Sequence, residues 1–389
     1  MSATKPLRLQ RLAAAVFTTM DEARKRALAA GADVINLSIG SPDQPPAPHV
    51  IEALTRSAQD LTNYGYPMRD LPVFRQAVAA YYSRRFGVTL EPHTEILGLT
   101  GSQEGLAHIA QAVADPGDLV LVPDPGYPIY TAGPVLAGCD TYPVPLTREN
   151  DYLPDLEALP AEVKRRAKLL ILNYPSNPLA ATATPAFYAQ VVAFAHRYGT
   201  VVLHDAAYSE LTFDGYRPPS FLETPGAREV GLEFNSLSKT FNMAGARIAY
   251  AVGNAQLLSL LAEVKNQLDY GLFRPIQMAA VAALTGPQEC VAQMAATYQR
   301  RRDILVDGLT AAGWSLPKPK ATMFCWAPLP DGFSSSLEFA MALLEKTGIT
   351  VVPGSGFGQM GEGYVRIALV QPEERLAEAV TRVKRSGLV

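Results

Sequence analysis

Lys239 is the residue of this chain best placed for covalent chemistry. It lies two residues beyond the strand candidate 233–237. A lysine at such a strand end must be exposed, paired or used, and a desolvated amine there can form a Schiff base with a carbonyl. Ser236, Ser238 and Arg247 flank it, two hydroxyls and an always-charged planar donor. A second cluster, Gly101-Ser102-Gln103-Glu104-Gly105, opens a helical pattern whose first N–H groups and dipole favour an anion. Asp205 follows the apolar run 201–203, with Tyr208 three residues on. Asn177 lies in the turn Asn173-Tyr174-Pro175-Ser176-Asn177-Pro178. Together these describe a small phosphate-bearing cofactor beside an amine nucleophile. Singly, each has a plainer reading: an ordinary helix start, a carboxylate cap, a serine-rich loop.

Positioning these groups requires strands that end near one another. Continuous apolar runs at 119–122, 169–172 and 201–203, with further strand candidates at 233–237 and 248–252, alternate with helical patterns at 103–113 and 185–198. Such spacing predicts a doubly wound α/β domain, a mostly parallel sheet covered by helices on both faces. Ligands of open α/β sheets bind at the carboxyl ends of the strands, where the candidate residues fall. After residue 286 the pattern changes. A long helix over 290–312 contains Arg300-Arg301-Arg302, expected as a solvated face. Strand candidates at 323–327, 350–352 and 365–370 mix with helices at 336–347 and 373–386, a smaller α/β unit. Residues 20–30 read as a helix stopping at Gly31, after a short arm.

Composition narrows the function classes. The 389 residues carry 34 Lys+Arg against 37 Asp+Glu, a net charge of −3, which argues against a nucleic-acid partner. No apolar run is long enough for a membrane span. Cys139, Cys290 and Cys325 form no C-x-x-C pair, and the five histidines have no metal-ligand spacing, so no metal is expected. No apolar stretch follows the first ten residues as in a secretory signal, so a cytoplasmic location is expected. Charged residues are 18% of the chain, below the roughly 25% usual for soluble domains, which hints at a face buried against another subunit. The loop Gly354-Ser355-Gly356-Phe357-Gly358 lacks the lysine of a nucleotide-binding loop and reads as a structural turn.

With these residues in hand, the chain resembles the class I/II aminotransferases, pyridoxal-phosphate enzymes of fold type I. The segment from Ser236 through Lys239 to Arg247 looks like the family's lysine signature, and Gly101-Ser102-Gln103, Pro125-Gly126-Tyr127-Pro128, Asn177-Pro178, Asp205-x-x-Tyr208 and Val365-Arg366-Ile367 fall in the family's order. The resemblance implies a large domain over 46–286, a small domain from 287–389, and an N-terminal segment 1–45 that supplies an arm and part of the small domain. It implies that Lys239 forms the Schiff base with pyridoxal 5'-phosphate and then acts as the base. Asp205 would pair with the pyridine nitrogen, making the ring an electron sink. Asn177 and Tyr208 would bond its phenolic oxygen, and Tyr127 would stack on its face. Ser102, Gln103, Ser236, Ser238 and Arg247 would hold the phosphate. Arg366 would clamp the substrate α-carboxylate, assisted by Asn177 and by Gly40, where backbone can approach closely. Alone, Arg366 could equally be an ion-pair partner, Tyr127 the filling of a turn, and Gly40 a bend. His204, beside Asp205, is expected to pack near the cofactor.

A tyrosine of the segment 64–71 would reach the phosphate of a second subunit in a homodimer with shared active sites. Tyr66 fits better, with Tyr64 as the alternative because the segment is one residue short. Two other departures are Leu179-Ala180-Ala181 after Asn177-Pro178 and Ala249 after Arg247-Ile248, where the family often carries glycine. The branch most similar contains the glutamate–pyruvate (alanine-forming) and LL-diaminopimelate aminotransferases. Asp269-Tyr270-Gly271 favours the alanine-forming side, so glutamate and alanine are the expected amino acids, exchanging with 2-oxo acids by a ping-pong route. LL-diaminopimelate, aspartate or a broad set of donors is the alternative. A Cβ lyase and a non-catalytic cofactor-binding regulator are the readings from outside that class. Arg274 is a candidate for a distal carboxylate, by neighbourhood, with a surface arginine as its plainer reading; Phe17 is a candidate for the pocket wall.

Overall fold

The computed structural model describes residues 5–12 and 15–389. Positions 1–4 and 13–14 of the expected N-terminal arm lie outside the described residues. Its strands, in chain order, are β1 (Ile35–Asn36), β2 (Ile96–Leu99), β3 (Leu119–Asp124), β4 (Asp140–Pro145), β5 (Ala167–Asn173) and β6 (Val201–Asp205). They continue with β7 (Gly231–Ser236), β8 (Ala249–Gly253), β9 (Phe324–Pro328), β10 (Ile349–Thr350), β11 (Val352–Pro353) and β12 (Tyr364–Ala368). A seven-stranded sheet runs β2-β8-β7-β6-β5-β3-β4. Strands β4, β3, β5, β6 and β7 are parallel; β8 is antiparallel to both β7 and β2.

The sheet is parallel at its centre because its strands are apolar on both faces. In β5, Leu170 and Leu172 pack into one core with helix Pro185–Tyr198, while Leu169 and Ile171 pack into another with helix Ser102–Val113. Each fully buried leucine or isoleucine is worth roughly 1.5–3 kcal/mol relative to an exposed one. Helix Pro185–Tyr198 starts where proline fixes φ at its first position and Thr184 accepts from the Phe187 N–H. It ends at Gly199, whose φ of 67° lies in the left-handed region.

Alternation along a strand also corrects one expectation. In β6, Val202 belongs to the first core and Leu203 to the second. His204 therefore shares the face of Val202, and Asp205 that of Leu203. His204 packs away from the Asp205 face, fully buried against Tyr188 and Glu233. It does not pack near the cofactor site.

A third core gathers both ends of the chain. Strand β1 pairs in parallel with β10, and Ile35 and Leu37 join Phe324, Ile349 and Ile367 in one buried cluster. Strands β11, β12 and β9 form a separate antiparallel sheet. Helix Glu289–Ala311 packs against this core, and here the arginine triplet departs from its expected role. Arg300 is exposed, but Arg301 and Arg302 are buried. Tyr298, Arg301, Arg302 and Leu305 stand at helical spacing on the inward stripe. Arg301 forms a two-pronged pair with Asp43 at 2.7 Å, and Arg302 reaches Asp214 at 2.6 Å and the Pro319 carbonyl at 2.9 Å. Among the described residues no helix is long and apolar enough to cross a membrane.

Candidate active site

The parallel strands β5, β6 and β7 release their chains at one edge of the sheet, in register: Asn173 faces Asp205, and Asp205 faces Phe234, two residues before Ser236. A cavity of about 260 Å³ opens there, walled on the other side by β9, β12 and the start of helix Ala15–Ala29. Lys239, Asp205, Tyr208 and Asn177 all line it. So do Ser102, Gln103, Tyr127, Ser236, Ser238 and Arg247, as well as Gly40 and Arg366. Phe17 lines it as well.

Lys239 sits one residue into the site from Ser238, on the short helix Leu237–Thr240 that Ser236 caps through its hydroxyl. Burial pulls its amine down to about 8, and the nearby Arg366 and Arg247 charges push the same way; Asp205 opposes them. Its Nζ donates to the Gly40 carbonyl. Asp205 is buried, and burial raises its carboxyl above the usual range, against hydrogen bonds from the Tyr130 hydroxyl (2.8 Å) and the Ala207 N–H. Among the described residues it has no basic side chain in ion-pair contact. A buried carboxylate of that kind fits a cationic N–H donor entering from the cavity.

The opposite charge problem exists at both ends of the cavity. Gly101 has φ 74° and ψ 150°, a conformation close to glycine-only. A Cβ there would lie 2.2 Å from a terminal nitrogen of Arg247. The bare glycine thus lets the guanidinium lie against the first turn of helix Ser102–Val113, beside the Ser102, Ser236 and Ser238 hydroxyls. That is a cradle for a dianion such as phosphate. Arg366 is buried, and burial brings its guanidinium down to about 10, so it stays charged at neutral pH. Its terminal nitrogens donate to Asn177 Oδ1 at 2.9 Å and to the Ser38 carbonyl at 2.7 Å, and its Nε has no partner. It has no acidic partner among the described residues, so one planar anion can complete its shell.

Two residues that sequence reasoning had not singled out hold the others in place. Asn173 donates to the Asp205 carbonyl at 2.8 Å and accepts from the Asn177 N–H at 2.7 Å. Tyr130 fixes Asp205, as above. Tyr130 stands three residues after Tyr127, at helical spacing, which was the available signal. Tyr127 donates to Gln103 Oε1 at 3.1 Å, so that glutamine's oxygen faces the tyrosine. The departure at Leu179-Ala180 leaves Asn177 in the cavity. Ala180 takes the left-handed φ of 54° itself, and its N–H bonds the Ser176 carbonyl.

Three candidates fall outside this cavity. Tyr66 is 75% exposed and edge-on to Tyr270, and Tyr64 donates to the Ala58 carbonyl at 2.9 Å. Arg274 donates to the Thr62 carbonyl on the same outer face, its plainer reading as a surface arginine. The loop from Gly354 is a turn packed on Asp124, where a Cβ at Gly358 would come within 2.0 Å of the carboxylate; unlike those three candidates, it reaches the cavity through Phe357. No group of three potential metal ligands occurs among the described residues.

A family model described as aminotransferase class I and II matches residues 32–383. An LL-diaminopimelate aminotransferase of Moorella thermoacetica is 50% identical over 379 residues, covering 97% of each chain. Among solved structures, substrate-bound BacF from Bacillus subtilis is similar with a TM-score of 0.95 at 39% identity, covering 99% of this chain and 98% of that one. A probable N-succinyldiaminopimelate aminotransferase from Thermus thermophilus is similar with a TM-score of 0.90 at 40% identity, covering 96% and 100%.

Proposed function

The chain belongs to the class I and II aminotransferases and is a pyridoxal-phosphate-dependent transaminase, and we propose that its amino donor is LL-diaminopimelate. The observation that carries this is the 50% identity, over nearly the full length of both chains, to a relative of that name. The segment that favoured glutamate and alanine, Asp269-Tyr270-Gly271, does not line the cavity. Asp269 pairs with Lys265, Tyr270 is exposed, and Gly271 packs on the Pro67 carbonyl. Within one subunit it lies on the outer face that carries Tyr66, away from this cavity.

Each residue then has a task set by its surroundings. Arg247, the hydroxyls of Ser102, Ser236 and Ser238, and the turn at Ser102-Gln103 hold the cofactor phosphate. Asp205, held in place by bonds from the Tyr130 hydroxyl and the Ala207 N–H, faces the ring nitrogen. Asn177 and Tyr208 face the ring oxygen, and Tyr127 covers one ring face. When bound, pyridoxal phosphate supplies an electron sink for the electrons of the substrate Cα–H bond. Arg366 binds the α-carboxylate in a two-pronged contact, oriented by Asn177 and backed by Gly40. Lys239 anchors the cofactor and, its charge weakened by burial, takes the proton from substrate Cα.

Leu61, Tyr66, Met68 and Tyr270 are 82%, 75%, 63% and 55% exposed. This apolar, aromatic face is covered by a second copy of the chain, and Tyr66 reaches the partner's phosphate site. The enzyme sediments as a dimer, and Tyr66→Phe weakens pyridoxal phosphate binding. A fully active monomer overturns that part.

The test of the donor is a steady-state panel of LL-diaminopimelate, L-glutamate and L-alanine against 2-oxoglutarate and pyruvate. LL-diaminopimelate with 2-oxoglutarate gives the highest kcat/KM. A higher value for L-alanine with 2-oxoglutarate, or for L-glutamate with pyruvate, refutes the donor and restores the alanine-forming reading. Release of ammonia without an oxo acid would move the chemistry to Cβ.

A further inference from the structure

The guanidinium of Arg366 lies between two phenyl rings. Its central carbon is 4.3 Å from the ring centre of Phe324 and 4.9 Å from that of Phe357. The cation is buried, has no acidic partner among the described residues, and leaves Nε without a hydrogen bond. Its two polar contacts, Asn177 Oδ1 and the Ser38 carbonyl, are in-plane acceptors at its terminal nitrogens. Between substrates, then, a buried charge must keep both its ionisation and its orientation without an anion. An aromatic face carries negative quadrupole potential, and a desolvated cation over it gains more than one in water.

Both rings are themselves fixed. Phe324 is fully buried on β9, edge-on to Tyr208 at 5.7 Å. A Cβ on Gly40 would lie 2.9 Å from its Cζ, so only glycine leaves the ring its place. Phe357 stands edge-on to Phe17 at 5.5 Å and to Trp326 at 6.1 Å. Phe17 comes from helix Ala15–Ala29, so the clamp leans on the N-terminal segment as well as on β9.

We propose that Phe324 and Phe357 are positioning residues for substrate recognition, holding the Arg366 guanidinium by cation–π contact in the plane that receives the α-carboxylate. This rests on the reading of Arg366 as the carboxylate clamp. The rings touch neither the reacting carbon nor its proton, so their effect is on carboxylate affinity rather than on turnover. Because Lys239 feels the Arg366 charge, a guanidinium that drifts away also shifts the pH response of that lysine.

The test replaces each phenylalanine by its fluorinated analogues, which keep the shape and progressively empty the ring face of negative potential. The holoenzyme in its pyridoxal form is titrated with 2-oxoglutarate, a carboxylate with no amine to react. The dissociation constant rises stepwise with fluorination, by about tenfold at full substitution of either ring, in the range of a desolvated cation–π contact. KM for the amino donor rises in parallel while kcat changes less than threefold, and Phe357→Tyr stays near the parent. A flat response across the series, with the melting temperature unchanged, overturns the proposal. Arg366→Gln separates the two readings. If it leaves 2-oxoglutarate affinity unchanged, the clamp assignment itself fails. If it abolishes that affinity while fluorination does nothing, only the role of the rings fails.

Discussion

Gly101→Ala tests the phosphate cradle at a residue that makes no side-chain contact of its own. The substitution acts twice. Gly101 occupies φ 74° and ψ 150°, and a non-glycine residue held there costs about 1–3 kcal/mol. The new Cβ would also meet Arg247 at 2.2 Å from a terminal nitrogen and 2.6 Å from the central carbon. Neither approach is tolerable, so the guanidinium must withdraw from the helix start. If Arg247 binds phosphate, one charge-assisted contact of about 1.5–3 kcal/mol is lost, a fall in affinity of about 10- to 150-fold. The assay compares pyridoxal phosphate with pyridoxal, its dephosphorylated form, in binding to the apoenzyme by absorbance titration. The phosphate-bearing molecule loses the 10- to 150-fold; pyridoxal, which never used Arg247, loses less than threefold. An equal loss for both would mean that the alanine has merely disturbed the fold. No loss for either would mean that Arg247 is not a phosphate ligand, and the assignment of that end of the cavity would fall.

Two further outcomes follow from buried ionisable groups. Loading of apoenzyme with pyridoxal phosphate quickens as pH rises through about 8, where burial, Arg366 and Arg247 together place the Lys239 amine, and Arg366→Gln moves the inflection upward; a rate flat from pH 7 to 9.5 contradicts this. Glu233 is opposed by burial, yet bonds from His204, Ser220 and Tyr82 hold its carboxyl below the ordinary range, so its stabilisation is present above the unfolded-state value and is lost as pH falls through the folded one. Glu233→Gln therefore costs roughly 1–3 kcal/mol at pH 7 and flattens the acid limb of denaturant midpoints between pH 3 and 7; an unchanged limb refutes it.

What the sequence disclosed depended on how local the signal was. Central strands β5 and β6 were legible as apolar runs because both faces are buried; β7 (GLEFNS) is equally buried but carries Glu233, Asn235 and Ser236. The edge strands were not: β4 (DTYPVP) is largely exposed, carries two prolines and pairs only with β3. Helices Pro185–Tyr198, Ser336–Thr347 and Glu373–Ser386 matched their expected bounds, each closed by a glycine in the left-handed region. The arginine triplet reads as a solvated run of charge, but the helical period puts Arg301 and Arg302 beside Tyr298 and Leu305 on the inward stripe. His204 departs from its expected place because adjacency in sequence is not adjacency in space: a strand sends neighbours to opposite faces. Asn173, Tyr130, Phe324 and Phe357 went unread for a different reason. Their roles come from contacts with residues 32, 75, 42 and 9 positions away in the chain, and apart from the spacing of Tyr130 from Tyr127 no local pattern marks them.

The ionisable groups around the cavity explain why one chain can hold two different anions and still leave its lysine reactive. Three cations, Lys239, Arg247 and Arg366, face one carboxylate, Asp205. A site so charged would be costly if all three cations were equally desolvated and equally unpaired. The structure separates them. Arg247 lies against a helix start where a phosphate brings roughly −1.5 to −2 charges, and Arg366 is held between rings and carbonyl acceptors until a carboxylate arrives. Arg366 remains ionised, because a guanidinium holds its proton even when burial brings it down to about 10. Lys239 is the group that gives way, because an ammonium on a flexible stem yields its proton far more readily. The two fixed cations therefore do more than attract anions. By standing near the amine they help strip its proton, so the features that select a phosphate-bearing cofactor and an α-carboxylate also prepare the nucleophile between them.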